Sequence, residues 1–323
     1  MALTLDDLYV SPDHFLHAFD GDAALFVPMN RDAYHRSIFL DGRIAPAGEG
    51  SMRIPVTMLA RSVPRPAPTA WIFHVAHCGS TLLARALDRP DATLVLREPL
   101  ALRQLAFMPA DDRLAIVTAM LSKRYRPDAP TIVKANVPVN FLLPRLAAID
   151  PAARALFLHL PLRDYLLAIL RSGPHREWLR HVTAQLAAYL GDMTGWTDAG
   201  RAAALWLAQM QAYAAASLKL PYAKSLNAEH FFAEPAAISS SVARHFGVAL
   251  SDGAIADLVD GPLFATYSKN PAVAFGNDDR LARRRAVEAA LAAEIRDAER
   301  WIAARGAAAD AATTTLAAIA LET

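Results

Sequence analysis

The 323-residue chain has a single cysteine, Cys78. One thiol forms no intramolecular disulfide and leaves a thiolate zinc centre without enough ligands. A reducing compartment is the expectation, and stability must come from a packed core. Excess charge is lacking too: 33 Lys and Arg stand against 32 Asp and Glu, a formal charge of +1. That balance argues against nucleic acid or an anionic membrane as partner, so any anion site has to be assembled locally from a few side chains. No apolar run reaches the ~18 residues of a membrane span. The amino-terminal segment carries Asp6 and Asp7 where a signal peptide would place basic residues. These absences predict a cytoplasmic protein. Hydrophobic residues make up 54% of the chain and charged residues 20%, so apolar surface suffices to offset the entropy of ordering a globular fold.

Residues 1–66 hold short apolar clusters (Phe15, Leu16, Phe19; Leu25, Phe26, Val27; Ile38, Phe39, Leu40) separated by Asp, Asn, Gly and Pro. They predict an N-terminal arm of turns and short strands packed on the main body. The proline-rich stretch 63–68 closes it, because repeated prolines favour extended backbone. From Ala70 onward, apolar runs at 71–75, 93–96, 131–134 and 155–158 alternate with helical spacing. Alternation of this kind predicts an α/β fold, a parallel β-sheet flanked by helices, over residues 67–306. Residues 174–218, with Trp178, Trp196 and Trp206, form a helical insertion in this scheme. A strand at 222–227 and a helix at 235–246 follow. A charged helix begins near Asp279 and is expected to fray after Gly306 into a tail, 307–323.

The most informative segment is His74-Val75-Ala76-His77-Cys78-Gly79-Ser80-Thr81-Leu82-Leu83. A buried strand ends here and a helix begins, so Gly79, Ser80 and Thr81 fall at a helix N-terminus. Free N–H groups, the helix dipole and two hydroxyls then converge on one point, which suits a phosphate or sulfate oxygen. An ordinary strand-to-helix turn with Ser80 as cap is the competing account. The Walker pattern G-x-x-x-x-G-K-[ST] is absent: position 74 is His and position 80 is Ser. An ATPase, GTPase or P-loop kinase-like enzyme is thereby disfavoured.

The segment 77–83 resembles the phosphosulfate-binding loop of the sulfotransferase family. Further stretches follow in the family's order: Leu96-Arg97-Glu98-Pro99, Lys134-Ala135-Asn136-Val137-Pro138, and 227–235 with 242–248. The resemblance covers residues 70–300 and implies a P-loop-type sheet. It also implies 3′-phosphoadenosine-5′-phosphosulfate as co-substrate, no metal, and a hydroxyl or amine acceptor on a small molecule, glycan or peptide. By it, His77, Cys78, Gly79, Ser80 and Thr81 hold the 5′-phosphosulfate. Glu98 is the candidate base, and Lys134 neutralises the transferring group. The Arg and Ser that grip the 3′-phosphate in the family correspond here to Leu160 and Ala168. Arg163, Arg171, Ser172, Lys269 and Arg280 are the candidate substitutes. A catalytically degenerate, nucleotide- or partner-binding protein is the alternative those two positions leave open.

Each assignment has a plainer counterpart. Glu98 before Pro99 could start a helix, and Lys134 could pair with a surface carboxylate. His74 is expected as a buried strand residue. With His77 and Cys78 it has too few neighbours in sequence for zinc, and Cys78 lacks an evident base for nucleophilic catalysis. His77, if neutral, still donates one N–H at the bridging oxygen; if protonated it would stabilise developing charge better, and activity would then fall as pH rises through its pKa.

Overall fold

The computed structural model describes residues 4–90 and 92–322. Strands β1 (His14–Asp20), β2 (Ala23–Pro28) and β3 (Met52–Pro55) form a three-stranded antiparallel sheet in that order. Phe15, Leu16 and Phe19 of β1 and Phe26 of β2 are buried, and they join one continuous core with the rest of the chain. The third apolar cluster, 38–40, forms no strand. Leu40 instead exchanges backbone hydrogen bonds with Arg97 and Leu100 (2.7 and 3.1 Å).

Five parallel strands form the central sheet: β4 (Thr69–His74), β5 (Leu94–Arg97), β6 (Thr131–Lys134), β7 (Arg154–His159) and β8 (Lys224–Asn227). Their spatial order is β5-β6-β4-β7-β8. Every residue of β4, β5 and β6 is buried, as expected of a parallel sheet covered on both faces. The α/β expectation therefore holds. From β4 the chain builds β5 and β6 on one side, then crosses to β7 and β8 on the other. That reversal opens a crevice beyond the carboxyl ends of β4 and its neighbours, where open parallel sheets bind ligands.

The insertion is helical: Gly173–Gln185, Ala187–Leu190 and Asp198–Ser217. Trp206 is core, its indole N–H donating to the Leu160 carbonyl (2.9 Å). Trp196 is partly exposed and packs on Trp301, while Trp178 lines the cavity described below. The expected fraying after Gly306 does not occur. A helix, Gly306–Ala318, follows the long Asn277–Ala303 helix and packs on Asp198–Ser217. Ala309, Ala312 and Leu316 are its buried face, and the small alanines let the two axes approach closely. Ser225 of β8 then exchanges backbone hydrogen bonds with Ile319 and Leu321 (3.0 and 2.8 Å). A short antiparallel hairpin, β9 (Thr266–Tyr267) with β10 (Asn270–Ala274), lies outside the sheet.

The arm is tied to the sheet by Arg97, at the end of β5 and fully buried. Its guanidinium donates to the carbonyls of Tyr34, Ser37 and His35 (2.6, 2.6 and 3.0 Å) and to Asp88 (2.7 Å). Burial alone would raise the Asp88 carboxyl. The His35 hydrogen bond and the Arg97 and Arg31 charges outweigh it and hold that carboxyl below the usual range. Arg97→Met leaves a buried carboxylate short of its main partner and should cost about 3–5 kcal/mol in urea unfolding. A loss under about 1 kcal/mol, typical of exposed pairs, would contradict this role.

Candidate functional site

Between β4 and the Ser80–Ala86 helix the chain turns through three residues of positive φ: Ala76 (72°), His77 (51°) and Gly79 (78°). Such angles are uncommon outside glycine and are kept only where neighbours enforce them. At Ala76 the enforcing group is His74, whose Nδ1 accepts the Ala76 N–H at 3.1 Å. At Gly79 there is also a steric reason, since a Cβ there would lie 2.5 Å from the Phe232 ring. Arg280 stacks on that ring at 4.0 Å, so the ring has little freedom to retreat.

Glu98 directly follows β5 and also has positive φ, 56°. Its N–H donates to the Lys134 carbonyl at 2.7 Å. Arg97 and Lys134 are paired across β5 and β6, so Glu98 and Lys134 emerge side by side at the strand ends. Lys134 is fully buried and its Nζ donates to Glu98 Oε1, with His74 Nε2 3.1 Å away. Burial pulls the Lys134 pKa down and the Glu98 charge opposes it. Burial, reinforced by Lys134, keeps His74 well below the usual histidine range and therefore neutral at neutral pH. The pairing turns the Glu98 carboxylate into the cavity although the residue stands just before the Leu100–Gln104 helix, and it gives Lys134 a partner that is only 17% exposed. Among the described residues, Glu98 Oε2 has no partner.

These groups line one cavity of about 620 Å³. His77, Cys78, Gly79, Ser80, Thr81, Glu98, Lys134, Lys269 and Arg280 of the expected site meet there; Arg163 and Ser172 do not. The Arg163 guanidinium points to the Asn277–Ala303 helix and bonds Glu288 and Glu299 (2.9 and 3.2 Å). The Ser172 hydroxyl is taken up by His175 Nδ1 (3.1 Å). Arg280 is present but neutralised by a two-pronged pair with Glu229 (2.8 and 3.0 Å). The Cys78 thiol lies buried 3.9 Å from the Leu158 carbonyl, and burial pushes its pKa up to about 11. It is a packing residue rather than a nucleophile.

Of the two forms open to His77, hydrogen-bond donor or cation, its surroundings favour the neutral one. Burial first, then the charges of Lys269, His175 and Arg171, hold its pKa well below the usual range. Its ring packs against His175 (4.2 Å between centroids) and Trp178 (5.5 Å). It is neutral, so it offers a hydrogen bond but no charge.

Arg171, a candidate with Arg163, also lines the cavity, and lining residues that no motif singled out include Arg43, Arg103 and His181. They come from the arm, from the Leu100–Gln104 helix after β5 and from the insertion, and no local pattern joins them. Six Lys and Arg line the cavity against two carboxylates, Asp41 and Glu98, so this pocket is cationic on a nearly neutral protein. Among the described residues, no group of three or more His, Cys, Asp or Glu is arranged to hold a metal. No described helix is long and apolar enough to cross a membrane.

No protein-family model and no curated relative matches the chain. Among solved structures it is similar to a sulfotransferase domain from the curacin biosynthetic pathway, with 11% identity and a TM-score of 0.41. That likeness covers 70% of this chain and 98% of the domain.

Two expectations follow. Gly79→Ala should cost about 1–2 kcal/mol from the left-handed backbone alone, with further loss from the Phe232 clash, as measured by urea unfolding; an unchanged midpoint would contradict the loop geometry. His74, His77, His159 and His175 all have lowered pKa values, the last two about 4. Between the folded values and the ordinary 6.5 the unfolded chain binds more protons, so stability is full above 6.5 and is lost as pH falls toward 4. Urea midpoints at pH 7.5, 6 and 5 should fall in that order, and a flat profile would contradict neutral burial of these rings.

Proposed function

We propose that the protein is a sulfotransferase that moves a sulfuryl group from 3′-phosphoadenosine-5′-phosphosulfate to a hydroxyl or amine acceptor. The observation that carries this reading is the Glu98–Lys134 pair beside the Gly79 turn, at the mouth of a cationic crevice. Group transfer of this type needs an oxyanion held in line with the acceptor, compensation of spreading negative charge, and a base for the acceptor proton. Ser80 and Thr81, which begin the Ser80–Ala86 helix, line the cavity, and the free N–H groups of a first helical turn suit the phosphosulfate. Lys134 holds Glu98 by one oxygen and leaves Oε2 to take the acceptor proton. As the acceptor oxygen or nitrogen bonds to sulfur, the bond from sulfur to the bridging oxygen breaks and its electron pair stays with the departing phosphate. A cavity of about 620 Å³ lies within the about 300–1,000 Å³ of small-molecule sites.

The positions of Leu160 and Ala168 favour a second reading, a nucleotide-binding protein without transfer. Leu160 is buried, its carbonyl accepting the Trp206 indole N–H, and the nearby Arg163 is engaged by Glu288 and Glu299. Calorimetry with adenosine 3′,5′-bisphosphate and turnover of the phosphosulfate donor separate the readings. The wild type should bind the bisphosphate without magnesium and consume donor. Glu98→Gln should bind within about threefold of wild type while donor consumption falls about 10²–10⁴-fold. Binding without any donor consumption supports the second reading. No binding at about 1 mM sinks both, and magnesium-dependent ATP binding would point to kinase chemistry.

A further inference from the structure

The two carboxylates that line the cavity are both engaged by cations. Glu98 is matched by Lys134, and it keeps an open oxygen without keeping an unmatched charge. Asp41 is gripped by Arg43, which donates through Nε (2.9 Å) and its backbone N–H (3.0 Å) to Oδ1 and through Nη2 to Oδ2. Burial would raise the Asp41 carboxyl. The hydrogen bonds and charge of Arg43, with the charge of Arg103, outweigh it and hold that carboxyl ionised. Arg103 also bonds the neutral Gln185 amide (3.1 Å). The wall formed by Asp41, Arg43 and Arg103 therefore carries a surplus of one positive charge.

Backbone hydrogen bonds set this wall beside Glu98. The Leu40 N–H donates to the Arg97 carbonyl (2.7 Å) and the Leu100 N–H to the Leu40 carbonyl (3.1 Å). One residue of the arm thus clasps the chain on both sides of Glu98 and Pro99, and its neighbours Phe39 and Asp41 line the cavity. The buried Phe39 ring carries the Arg43 guanidinium 3.8 Å from its centre and has Lys134 Nζ 5.9 Å away. Arg43 in turn lies within electrostatic reach of Glu98. Val137 and Pro138, after β6, and Trp178 and Val182, from the insertion, add apolar lining.

An acceptor nitrogen meets two obstacles here. An alkylamine that titrates near 10 is protonated about a thousandfold over its free base at pH 7, and an ammonium has no lone pair with which to attack sulfur. It also approaches a wall of like charge that offers no unmatched carboxylate. A hydroxyl meets neither obstacle. Its oxygen bonds to sulfur, its one proton passes to Glu98 Oε2, and the bond from sulfur to the bridging oxygen breaks with the electron pair left on the phosphate. We propose that Arg43 is a specificity-determining residue: by masking Asp41 it keeps the acceptor wall cationic, so the site takes an uncharged alcohol with an apolar body and rejects an ammonium. The assignment rests on the sulfotransferase reading for the transfer step alone; rejection of a cation is a property of binding.

Benzyl alcohol and benzylamine, alike in shape, are the probes at pH 7. Binding to the full chain is read by saturation-transfer NMR, and turnover as release of adenosine 3′,5′-bisphosphate from the phosphosulfate donor. The wild type should bind the alcohol about 10-fold or more tightly than the amine and turn it over with kcat/KM about 100-fold or more higher. Arg43→Met exposes Asp41 and should narrow the binding preference about 10-fold. Adding Asp41→Asn to Arg43→Met should restore it, and Arg43→Lys, which keeps the charge, should hold it within about threefold. Arg163→Met, outside the cavity, should not change it. The Arg43 side chain is mostly exposed, and unfolding midpoints check every variant; the wild-type comparison of alcohol with amine needs no variant to fold. Equal binding of the two probes, no binding of benzyl alcohol by the wild type, or a preference unmoved by Arg43→Met overturns the proposal. If binding responds as expected but no donor is consumed, the sulfotransferase reading fails and the charge selection stands. If donor is consumed equally with both probes, the selection fails and that reading stands.

Discussion

A lysine with no exposed surface, Lys134, is the constraint on which the site is organised. A buried ammonium is tolerated only with a partner held in good geometry, and Glu98 is that partner. Meeting it forces Glu98 into a left-handed backbone conformation and turns its carboxylate into the crevice. The same ammonium neighbours His74, which in turn holds the positive φ of Ala76 in the glycine turn. One buried charge thereby couples the ends of three adjacent strands, β5, β6 and β4. The ordinary reason for a buried ion pair, stability, is weak, because such pairs are often no more stable than apolar replacements. Their value here lies in position: the pair fixes a carboxylate with one open oxygen beside the Gly79 turn.

The topology explains why these groups meet at all. Loops after β4 and β6 lie on the side of the sheet where strand order reverses, and there the carboxyl ends leave room for a ligand. The fold then adds walls from distant sequence: Phe39 and Arg43 from the arm, Arg171 and Trp178 from the insertion, and Lys269 from the late hairpin. Near-zero net charge is compatible with a strongly cationic pocket because the pairing is uneven. On the Asn277–Ala303 helix Arg280 and Arg284 are matched by Glu229 and Asp164, while among the described residues Arg171 forms no ion pair with a carboxylate.

Much of the scaffold was legible in the sequence, because a strand buried on both faces must be a continuous apolar run. The runs at 71–75, 93–96, 131–134 and 155–158 became β4 to β7 within one or two residues at each end. The loop was legible because glycine marks a left-handed turn and hydroxyl residues mark a helix start. Cations were not. Arg163 and Arg171 are equally plausible in sequence, and only the register of the Asn277–Ala303 helix, which offers Glu288 and Glu299, decides that Arg163 is occupied. The protonation of His77 was equally hidden, since it depends on His175 and Trp178 closing over the ring from a helix almost a hundred residues away. The tail after Gly306 misled for a similar reason: alanine-rich, with little apolar pattern of its own, it becomes ordered through the partner helix it packs against.

The most direct test of the central claim is a crystal structure of the protein with adenosine 3′,5′-bisphosphate. The 5′-phosphate should lie against the backbone of Gly79, Ser80 and Thr81, with Glu98 Oε2 open toward the acceptor side of the cavity. A nucleotide bound away from the Gly79 turn would contradict it.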